Sequence, residues 1–270
     1  MYVTLLYQKY FLMKKLLIKL FGIYSSFLHG DLLGLDRWIW LSKNLNNRKG
    51  NNLLDVGAGS GGFSIACAKK YNISCTALSW DERNVEESKR RSTQLNIHNK
   101  VTNKVYDIRY LDKLKELKSI FDFVICLENI EHVINDKKLI KDISSNLKIG
   151  GTLFLTTPNL NYISMGIGDN KNNLSLIEDG GHVRIGYSEK DCYSVCEGSG
   201  LEIEKIEYCS GFFSQKITSM IRFLNLILPY PLIWGITFPL RSLPIIFDPF
   251  IQKYFKWPGY SICFVAKKIK

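Results

Sequence analysis

A group of closely spaced glycines is the part of this sequence best suited to bind a ligand. Residues 53–63 read Leu-Leu-Asp-Val-Gly-Ala-Gly-Ser-Gly-Gly-Phe, an apolar run that breaks into glycines. Glycine lets the backbone turn tightly and approach a ligand without a Cβ atom, and the N-terminus of a following helix presents free N–H groups. The spacing of Gly57, Gly59 and Gly62 fits a dinucleotide site, although that pattern alone has low specificity.

The carboxylates around the glycines argue against a nicotinamide dinucleotide. Such a site needs a carboxylate about 20 residues further on to bind the ribose, but residues 76–79 hold none, and the first is Asp81. Asp55 lies directly before the glycines and suits a ligand with a cationic amino acid end. The glycine loop therefore favours a nucleotide that carries a positively charged group.

Two histidines are the candidate general bases, because imidazole exchanges a proton near neutral pH. His132 follows the fourth predicted strand, at the edge where parallel sheets bind ligands, and His182 lies in the polar loop 178–184. Either histidine is equally well explained as a structural hydrogen-bonding residue. The neighbouring Glu131 is predicted to face water.

The elements that position these residues alternate from Asn52 onward between short apolar strands and helices, which is typical of an α/β domain with a parallel sheet. Lys148 to Gly151 are predicted to form a turn before the fifth strand. The predicted strands are 52–56, 74–78, 104–106, 121–126, 152–156, 201–208 and 261–266. The predicted helices are 35–45, 62–70, 82–95, 111–117, 136–147 and 188 to about 200.

The sequence from 52 to 159 resembles class I S-adenosylmethionine-dependent methyltransferases. Their first motif, Asp-x-Gly-x-Gly-x-Gly, is matched by Asp55, Gly57, Gly59 and Gly61. Residues 126–133 and 150–159 resemble the segments around strands four and five of ubiquinone-type O-methyltransferases. The resemblance implies a Rossmann-like doubly wound sheet of seven strands with an antiparallel last strand, and S-adenosylmethionine as the cofactor.

The resemblance also implies a role for each cofactor-site residue. The Asp-Gly motif holds the methionine end, and Ser79 and Asp81 face the ribose. Trp80 is a further cofactor-binding residue, Asp107 lies at the adenine, and Glu128 lies nearby. In this family the second strand usually ends in an acidic residue that binds both ribose hydroxyls, but this chain has Ser79 there. Either Ser79 makes one weaker hydrogen bond or Asp81 takes over the contact.

The acceptor is less well defined than the cofactor. The run from Ser79 to Asn84 resembles a methyltransferase subgroup associated with bacterial surface-polysaccharide gene clusters, which implies O-methylation of a glycan, a lipid-linked sugar or a related small molecule. A quinone-type acceptor is the nearest alternative. A nucleic-acid methyltransferase is disfavoured, because residues 127–130 lack an Asn/Asp-Pro-Pro-Tyr motif. A non-catalytic cofactor-binding protein is a further alternative.

The composition changes in two places outside the central domain. We predict an N-terminal helical extension at 1–50, a methyltransferase domain at 51–209 and 258–270, and an apolar insertion at 210–257. Residues 223–240 are uncharged for about 18 residues, the lower limit for a membrane span. The prolines of this run argue against a span, because each lacks a backbone donor. The insertion is interpreted as a lid, a membrane-interface patch or an oligomer contact.

Charge and cysteine content give weaker indications. The net charge is +11, but the lysines are scattered, which is typical of solvated basic faces. Seven cysteines without a CxxC pair or a Cys/His zinc spacing predict reduced thiols and no metal site. The apolar stripe from Leu5 to Phe27 predicts a helix and not a signal peptide. We expect a cytoplasmic protein, with peripheral contact at the inner membrane face as the alternative suggested by the insertion; the oligomeric state is not predicted.

Overall fold

The computed structural model describes residues 32–166, 169, 171 and 174–270, so the predicted stripe at 5–27 lies outside the described residues. The chain divides into two compact units. The sheet unit comprises Leu41–Tyr162, Asn170–Tyr208 and Ser261–Lys270. The helical unit comprises the described residues of Met1–Trp40, Ile163–Asp169 and Cys209–Tyr260. The predicted boundaries and roles of the N-terminal extension, the methyltransferase domain and the apolar insertion stay predictions.

The sheet has seven strands in the order β3-β2-β1-β4-β5-β7-β6. β1 pairs in parallel with β2 and β4, whereas β7 runs antiparallel to β5. This confirms the predicted Rossmann-like sheet and its antiparallel last strand. The strands are β1 Asn52–Val56, β2 Ser74–Ser79, β3 Val101–Val105, β4 Phe121–Leu127, β5 Leu147–Pro158, β6 Leu201–Cys209 and β7 Ser261–Lys268.

The first five α-helices among the described residues follow the predicted pattern closely. Ser188 and Asp191 form a capping box at the start of α5, where each side chain bonds the backbone N–H of the other residue. Gly198 and Gly200 have positive φ and end that region earlier than predicted. The helices are α1 Leu32–Leu45, α2 Gly62–Tyr71, α3 Glu82–Gln94, α4 Asp136–Asn146 and α5 Glu189–Cys196.

The predicted helix at 111–117 is wrong. The chain instead forms two 3-10 segments, Ile108–Lys113 and Lys115–Leu117, which are separated by the non-helical dihedrals of Leu114. Leu111 and Leu117 are buried in the sheet core, so their apolar spacing reflects packing and does not require a continuous helix.

The predicted turn at Lys148–Gly151 is also wrong, because β5 already begins at Leu147. Phe121 pairs with Leu147 and Phe123 with Thr152, so the pairing shifts and β5 carries extra residues between these two pairs. Gly150 has a φ of 81°, which an L side chain rarely adopts. A bulge within one long strand therefore replaces the turn.

The helical unit contains α6 Phe212–Leu224, α7 Tyr230–Thr237, the 3-10 segment Phe238–Ser242 and α8 Leu243–Phe255. The buried Asp248 carboxylate accepts hydrogen bonds from the backbone N–H groups of Phe213 (2.7 Å) and Ser214 (3.1 Å). It thus satisfies two free donors at the start of α6. Tyr230–Phe255, with a mean hydropathy of 1.2, is the one stretch of the described residues long and apolar enough to cross a membrane.

Candidate active site

A cleft of about 280 Å³ opens at the carboxyl ends of the central strands of the sheet unit. This is the edge at which open α/β sheets bind their ligands. Four residues predicted for the site reach the cleft, namely Gly57, Trp80, Asp107 and His132. Among the described residues, the cleft is lined by Gly57, Trp80, Asp107, Ile108, Arg109, Asn129, His132, Val133, Glu178, Asp179 and Gly180.

Gly57 lines the cleft, and both its backbone conformation and a neighbouring side chain require glycine at this position. Its φ is 82°, and an added Cβ atom would lie 2.2 Å from Oδ1 of Asn129. The Asn129 amide in turn donates a hydrogen bond to the Gly57 carbonyl at 3.1 Å and another to the Leu127 carbonyl at 2.7 Å. Asn129, which the sequence analysis missed, therefore ties the glycine loop to the end of β4.

The other two motif glycines have different constraints. Gly61 has a φ of 74°, and a Cβ atom there would lie 2.0 Å from the Ser88 hydroxyl of α3. Gly59 has a φ of 51° with open space around the Cβ position. The loop thus packs closely against a helix at Gly61 and leaves room at Gly59.

Asp55 lies inside the sheet unit and does not line the cleft. Its side chain is 2% exposed and accepts a hydrogen bond from the Ser64 hydroxyl of α2. Burial raises the pKa of Asp55 to about 7, which the bond from Ser64 partly opposes. The predicted contact of Asp55 with the methionine end stays a prediction.

We expect Asp55→Asn to change how the free energy of unfolding depends on pH. A carboxyl with a pKa near 4 when unfolded and about 7 when folded stabilises the fold below pH 4 and loses that contribution as pH rises through 7. The loss amounts to at most about 4 kcal/mol. Urea unfolding should therefore show the Asn variant gaining stability over the wild type from pH 5 to pH 8.

The half-buried N-cap Asp81 provides the matched control, because Arg83 holds its pKa below the usual range. Asp81→Asn should show no such gain at pH 8. Parallel stability curves for the wild type and Asp55→Asn would contradict the raised pKa.

The cofactor-site residues predicted at positions 79–81 divide between the cleft, the end of β2 and the start of α3. Trp80 is 69% exposed and lines the cleft. Ser79 is buried at the end of β2. Asp81 caps α3 by accepting the Arg83 N–H at 2.9 Å, and pairs with the Arg83 guanidinium at 2.7 Å. Trp80 is thus the one residue of this group that faces the cleft, and the ribose contacts of Ser79 and Asp81 stay predictions.

Asp107 belongs to an ion-pair chain that crosses the mouth of the cleft. Arg109 donates to Asp107 at 2.9 Å and to Glu178 at 3.0 Å, and Glu178 accepts the Ile134 N–H at 2.6 Å. The guanidinium holds the pKa of Asp107 below its usual range. Because Glu178 lies on the loop after β5, this chain, which we call the clasp (Asp107, Arg109 and Glu178), fastens that loop over the cleft.

The two histidines predicted as bases lie side by side. Their ring centroids are 4.6 Å apart at an angle of 86°. His132 ends the 3-10 segment Ile130–His132, and its Nδ1 lies 3.0 Å from the Gly181 carbonyl. Because a carbonyl can only accept a hydrogen bond, Nδ1 carries a proton, and in the neutral form of the imidazole Nε2 carries the lone pair. His182 is 8% exposed.

The prediction that Glu131 faces water is wrong, because Glu131 is fully buried. The Thr157 hydroxyl donates to its Oε2 at 3.0 Å, and its Oε1 lies 4.0 Å from Nε2 of His132. Charged residues after a strand usually face solvent, so the sequence carried no sign of this packing. Glu128 has a φ of 53° and accepts the Ser261 hydroxyl at 2.9 Å, so its predicted place near the cofactor stays a prediction.

The strand order, the glycine loop and the cleft define a class I S-adenosylmethionine-dependent methyltransferase, as the sequence predicted. The family model described as a methyltransferase domain matches residues 36–206. The chain therefore belongs to this methyltransferase domain family, for which S-adenosylmethionine is the predicted and confirmed cofactor class.

The individual relatives match a shorter part of the chain than the family model does. A ubiquinone biosynthesis O-methyltransferase from Coxiella burnetii is 34% identical over 116 residues, which cover 42% of this chain and 46% of the relative. The chain spans about half the length of the curated relatives it matches.

Two solved structures share the fold. A putative sarcosine dimethylglycine methyltransferase from Galdieria sulphuraria has a TM-score of 0.60 at 16% identity and covers 87% of this chain and 86% of its own. The cyclase SpnF has a TM-score of 0.58 at 17% identity and covers 86% and 80%. At this identity the likeness shows the fold alone.

Proposed function

We propose that this protein transfers a methyl group from S-adenosylmethionine to a hydroxyl oxygen of a small or lipid-linked acceptor. The observation that carries the proposal is His132, which lines the cleft and directs the lone pair of Nε2 away from the Gly181 carbonyl. Bound S-adenosylmethionine supplies an electrophilic methyl group on a sulfonium. His132 would take up the acceptor hydroxyl proton at Nε2 as the oxygen–carbon bond forms and the methyl–sulfur bond breaks, so that S-adenosylhomocysteine leaves.

The residues around the cleft fit this cofactor. At Gly59 nothing lies within 4 Å of the position that a Cβ atom would take, so the backbone of the glycine loop can approach a ligand there. Trp80 offers an exposed indole face, and the Asp107 carboxylate follows the end of β3. Gly57 and Gly59 would hold the methionine end, and Trp80 and Asp107 the adenosine.

Two acceptor classes are supported by different observations. The run from Ser79 to Asn84 supports a glycan or lipid-linked sugar, whereas the 34% identity to a ubiquinone biosynthesis O-methyltransferase supports a quinone-type acceptor. Labelled-methyl transfer into cell extract separated into lipid, polysaccharide and nucleic acid fractions tests both. We expect label in the lipid or polysaccharide fraction. Label in nucleic acid alone, or in no fraction although the cofactor binds, would contradict the proposal.

A peripheral membrane contact through the helical unit is part of the proposal. Within Cys209–Tyr260 the one acidic residue, Asp248, is buried, whereas Arg222, Lys253 and Lys256 carry positive charge. Large exposed apolar areas with basic neighbours bind anionic bilayers. The apolar side chains more than half exposed are Phe223, Leu226, Ile227, Leu232, Ile236, Ile245, Ile246, Phe250, Tyr254 and Phe255. A lid and an oligomer contact are the alternative uses of this surface.

We expect Ile246→Glu and Phe250→Glu each to lower binding to phosphatidylglycerol vesicles at least tenfold in a flotation assay. Each change places a charge where an exposed apolar side chain would enter the interface, and burial of one such side chain contributes about 1.5–3 kcal/mol. Ile149→Glu, at a still more exposed apolar position on the β5 bulge, is the matched control. Wild-type protein that does not float with the vesicles would contradict the contact.

The clasp should control how fast the cofactor enters and leaves. We expect Glu178→Gln to raise the dissociation rate of S-adenosylhomocysteine several-fold, because it weakens an ion pair of about 1 kcal/mol that holds the loop. Stopped-flow fluorescence of Trp80 can follow the exchange. Glu116→Gln, which removes a comparable pair with Lys104, is the control. An unchanged rate would show that the clasp does not gate the cleft.

A further inference from the structure

A cluster of three metal-ligating side chains lies beside the cleft. One potential ligand atom from each of Glu131, His132 and His182 lies within 4.8 Å of the other two. Two of these side chains come from the segment after β4, and the third comes from the loop after β5. The cluster is therefore made by the fold, and no spacing in the sequence indicated it.

Hydrogen bonds to neighbouring groups orient two of the potential ligand side chains, His132 and Glu131. The Gly181 carbonyl accepts from Nδ1 of His132, which leaves the lone pair on Nε2 at 4.0 Å from Oε1 of Glu131. Metal-bound histidines commonly donate their other ring N–H to a carbonyl in this way, which fixes the tautomer and the ring orientation. The Thr157 hydroxyl similarly holds the second carboxylate oxygen of Glu131 at 3.0 Å.

We propose that Glu131, His132 and His182 bind a divalent transition-metal ion, with Zn²⁺ as the best match. Two imidazoles and one carboxylate form a common zinc ligand set that leaves one position open, and His132 lines the cleft from which an ion would enter. Zinc bonds of about 2.0–2.2 Å place tetrahedral ligand atoms about 3.4 Å apart. Nε2 and Oε1 therefore need to approach by roughly 0.6 Å, and a pair at the 4.8 Å limit by roughly 1.4 Å, which small side-chain rotations can supply.

The metal and the proton compete for the same lone pair of His132. An occupied site takes His132 out of acid–base chemistry, so Zn²⁺ acts as an inhibitor of methyl transfer. This consequence rests on the proposed function, whereas binding of the ion itself does not.

The test uses chelator-stripped, tag-free full-length protein and Co²⁺ as a spectroscopic probe, with Zn²⁺ affinity measured by competition with a chromogenic chelator. We expect one ion per chain, a visible absorption band of four-coordinate Co²⁺, and at least a tenfold loss of Zn²⁺ affinity in His182→Asn and in Glu131→Gln. His98→Asn, at an exposed histidine outside the cluster, should bind as the wild type does.

Thermal unfolding establishes that each variant is folded, and the half-exposed His132→Asn provides a third cluster variant if Glu131→Gln does not fold. Equal Zn²⁺ affinity of the wild type and the folded cluster variants, or the absence of a one-to-one complex, would overturn the proposal. S-adenosylhomocysteine binding is measured in the same samples, so a failed metal site is distinguished from a failed methyltransferase assignment.

Discussion

We expect His132→Asn to lower the rate of methyl transfer by about 10²–10⁴-fold, the usual contribution of a positioned general base. The asparagine amide can still donate to the Gly181 carbonyl that now accepts from Nδ1. It offers no basic nitrogen in place of Nε2. The measurement is the initial rate of labelled-methyl incorporation into the extract fraction that the wild type labels, at saturating cofactor.

Cofactor binding separates the loss of a base from a damaged site. S-adenosylhomocysteine should bind His132→Asn within about threefold of the wild type. His98→Asn is the matched control and should keep the full rate. A His132→Asn rate within a few-fold of the wild type would show that His132 is not the base. His182→Asn would then be the next variant to measure, because its ring lies beside that of His132.

We expect Gly57→Ala to lower the affinity for S-adenosylhomocysteine by at least tenfold. A non-glycine residue at positive φ costs roughly 1–2 kcal/mol, and the new Cβ atom would lie 2.2 Å from Oδ1 of Asn129. Relief of that overlap must displace the Asn129 side chain or the glycine loop, both of which line the cleft. Calorimetric titration measures the affinity, and urea unfolding measures the accompanying loss of stability.

Gly150→Ala is a close control for the backbone strain alone. Gly150 has nearly the same φ, 81°, but it lies on the β5 bulge with no atom within 4 Å of its Cβ position. It should lose only the roughly 1–2 kcal/mol of stability that the strained backbone costs, and bind the cofactor product normally. If both alanine variants bind equally well, the approach of Gly57 to Asn129 does not shape the cofactor site.

The glycine loop could be predicted from the sequence because its requirements are local. A strand, a tight turn with positive φ and a helix follow one another within a few residues. Glycine adopts positive φ readily, so the residue type at Gly57, Gly59 and Gly61 indicates that turn. The alternation of strands and helices likewise predicted the sheet, because parallel strands require crossovers.

The rest of the candidate site depends on contacts between distant segments. Arg109 and Glu178 are 69 positions apart, and Asn129 is 72 positions from Gly57, so no sequence spacing revealed either pairing. Glu131 has the sequence context of a solvated loop residue, whereas the Thr157 hydroxyl of β5 donates a hydrogen bond to its buried carboxylate. Such pairs arise from the tertiary fold, and pattern analysis of one sequence does not detect them.

The secondary-structure predictions are wrong in two places, where tertiary packing and not the periodicity of the sequence determines the backbone conformation. The stretch from Leu111 to Leu117 has helical spacing, but Asp107 caps a short 3-10 segment and Leu114 breaks it. Gly150 and Gly151 suggested a turn, whereas antiparallel β7 and parallel β4 hold β5 as one long strand with a bulge. At β5 the neighbouring strands therefore override the local preference of the chain.

Isothermal calorimetry with S-adenosylhomocysteine tests the central claim most directly, because it needs no knowledge of the acceptor. The account predicts one binding event per chain at micromolar ligand, weakened in Gly57→Ala and retained in His132→Asn, with no heat from NAD. No binding of S-adenosylhomocysteine at millimolar concentration, together with binding of NAD, would contradict it.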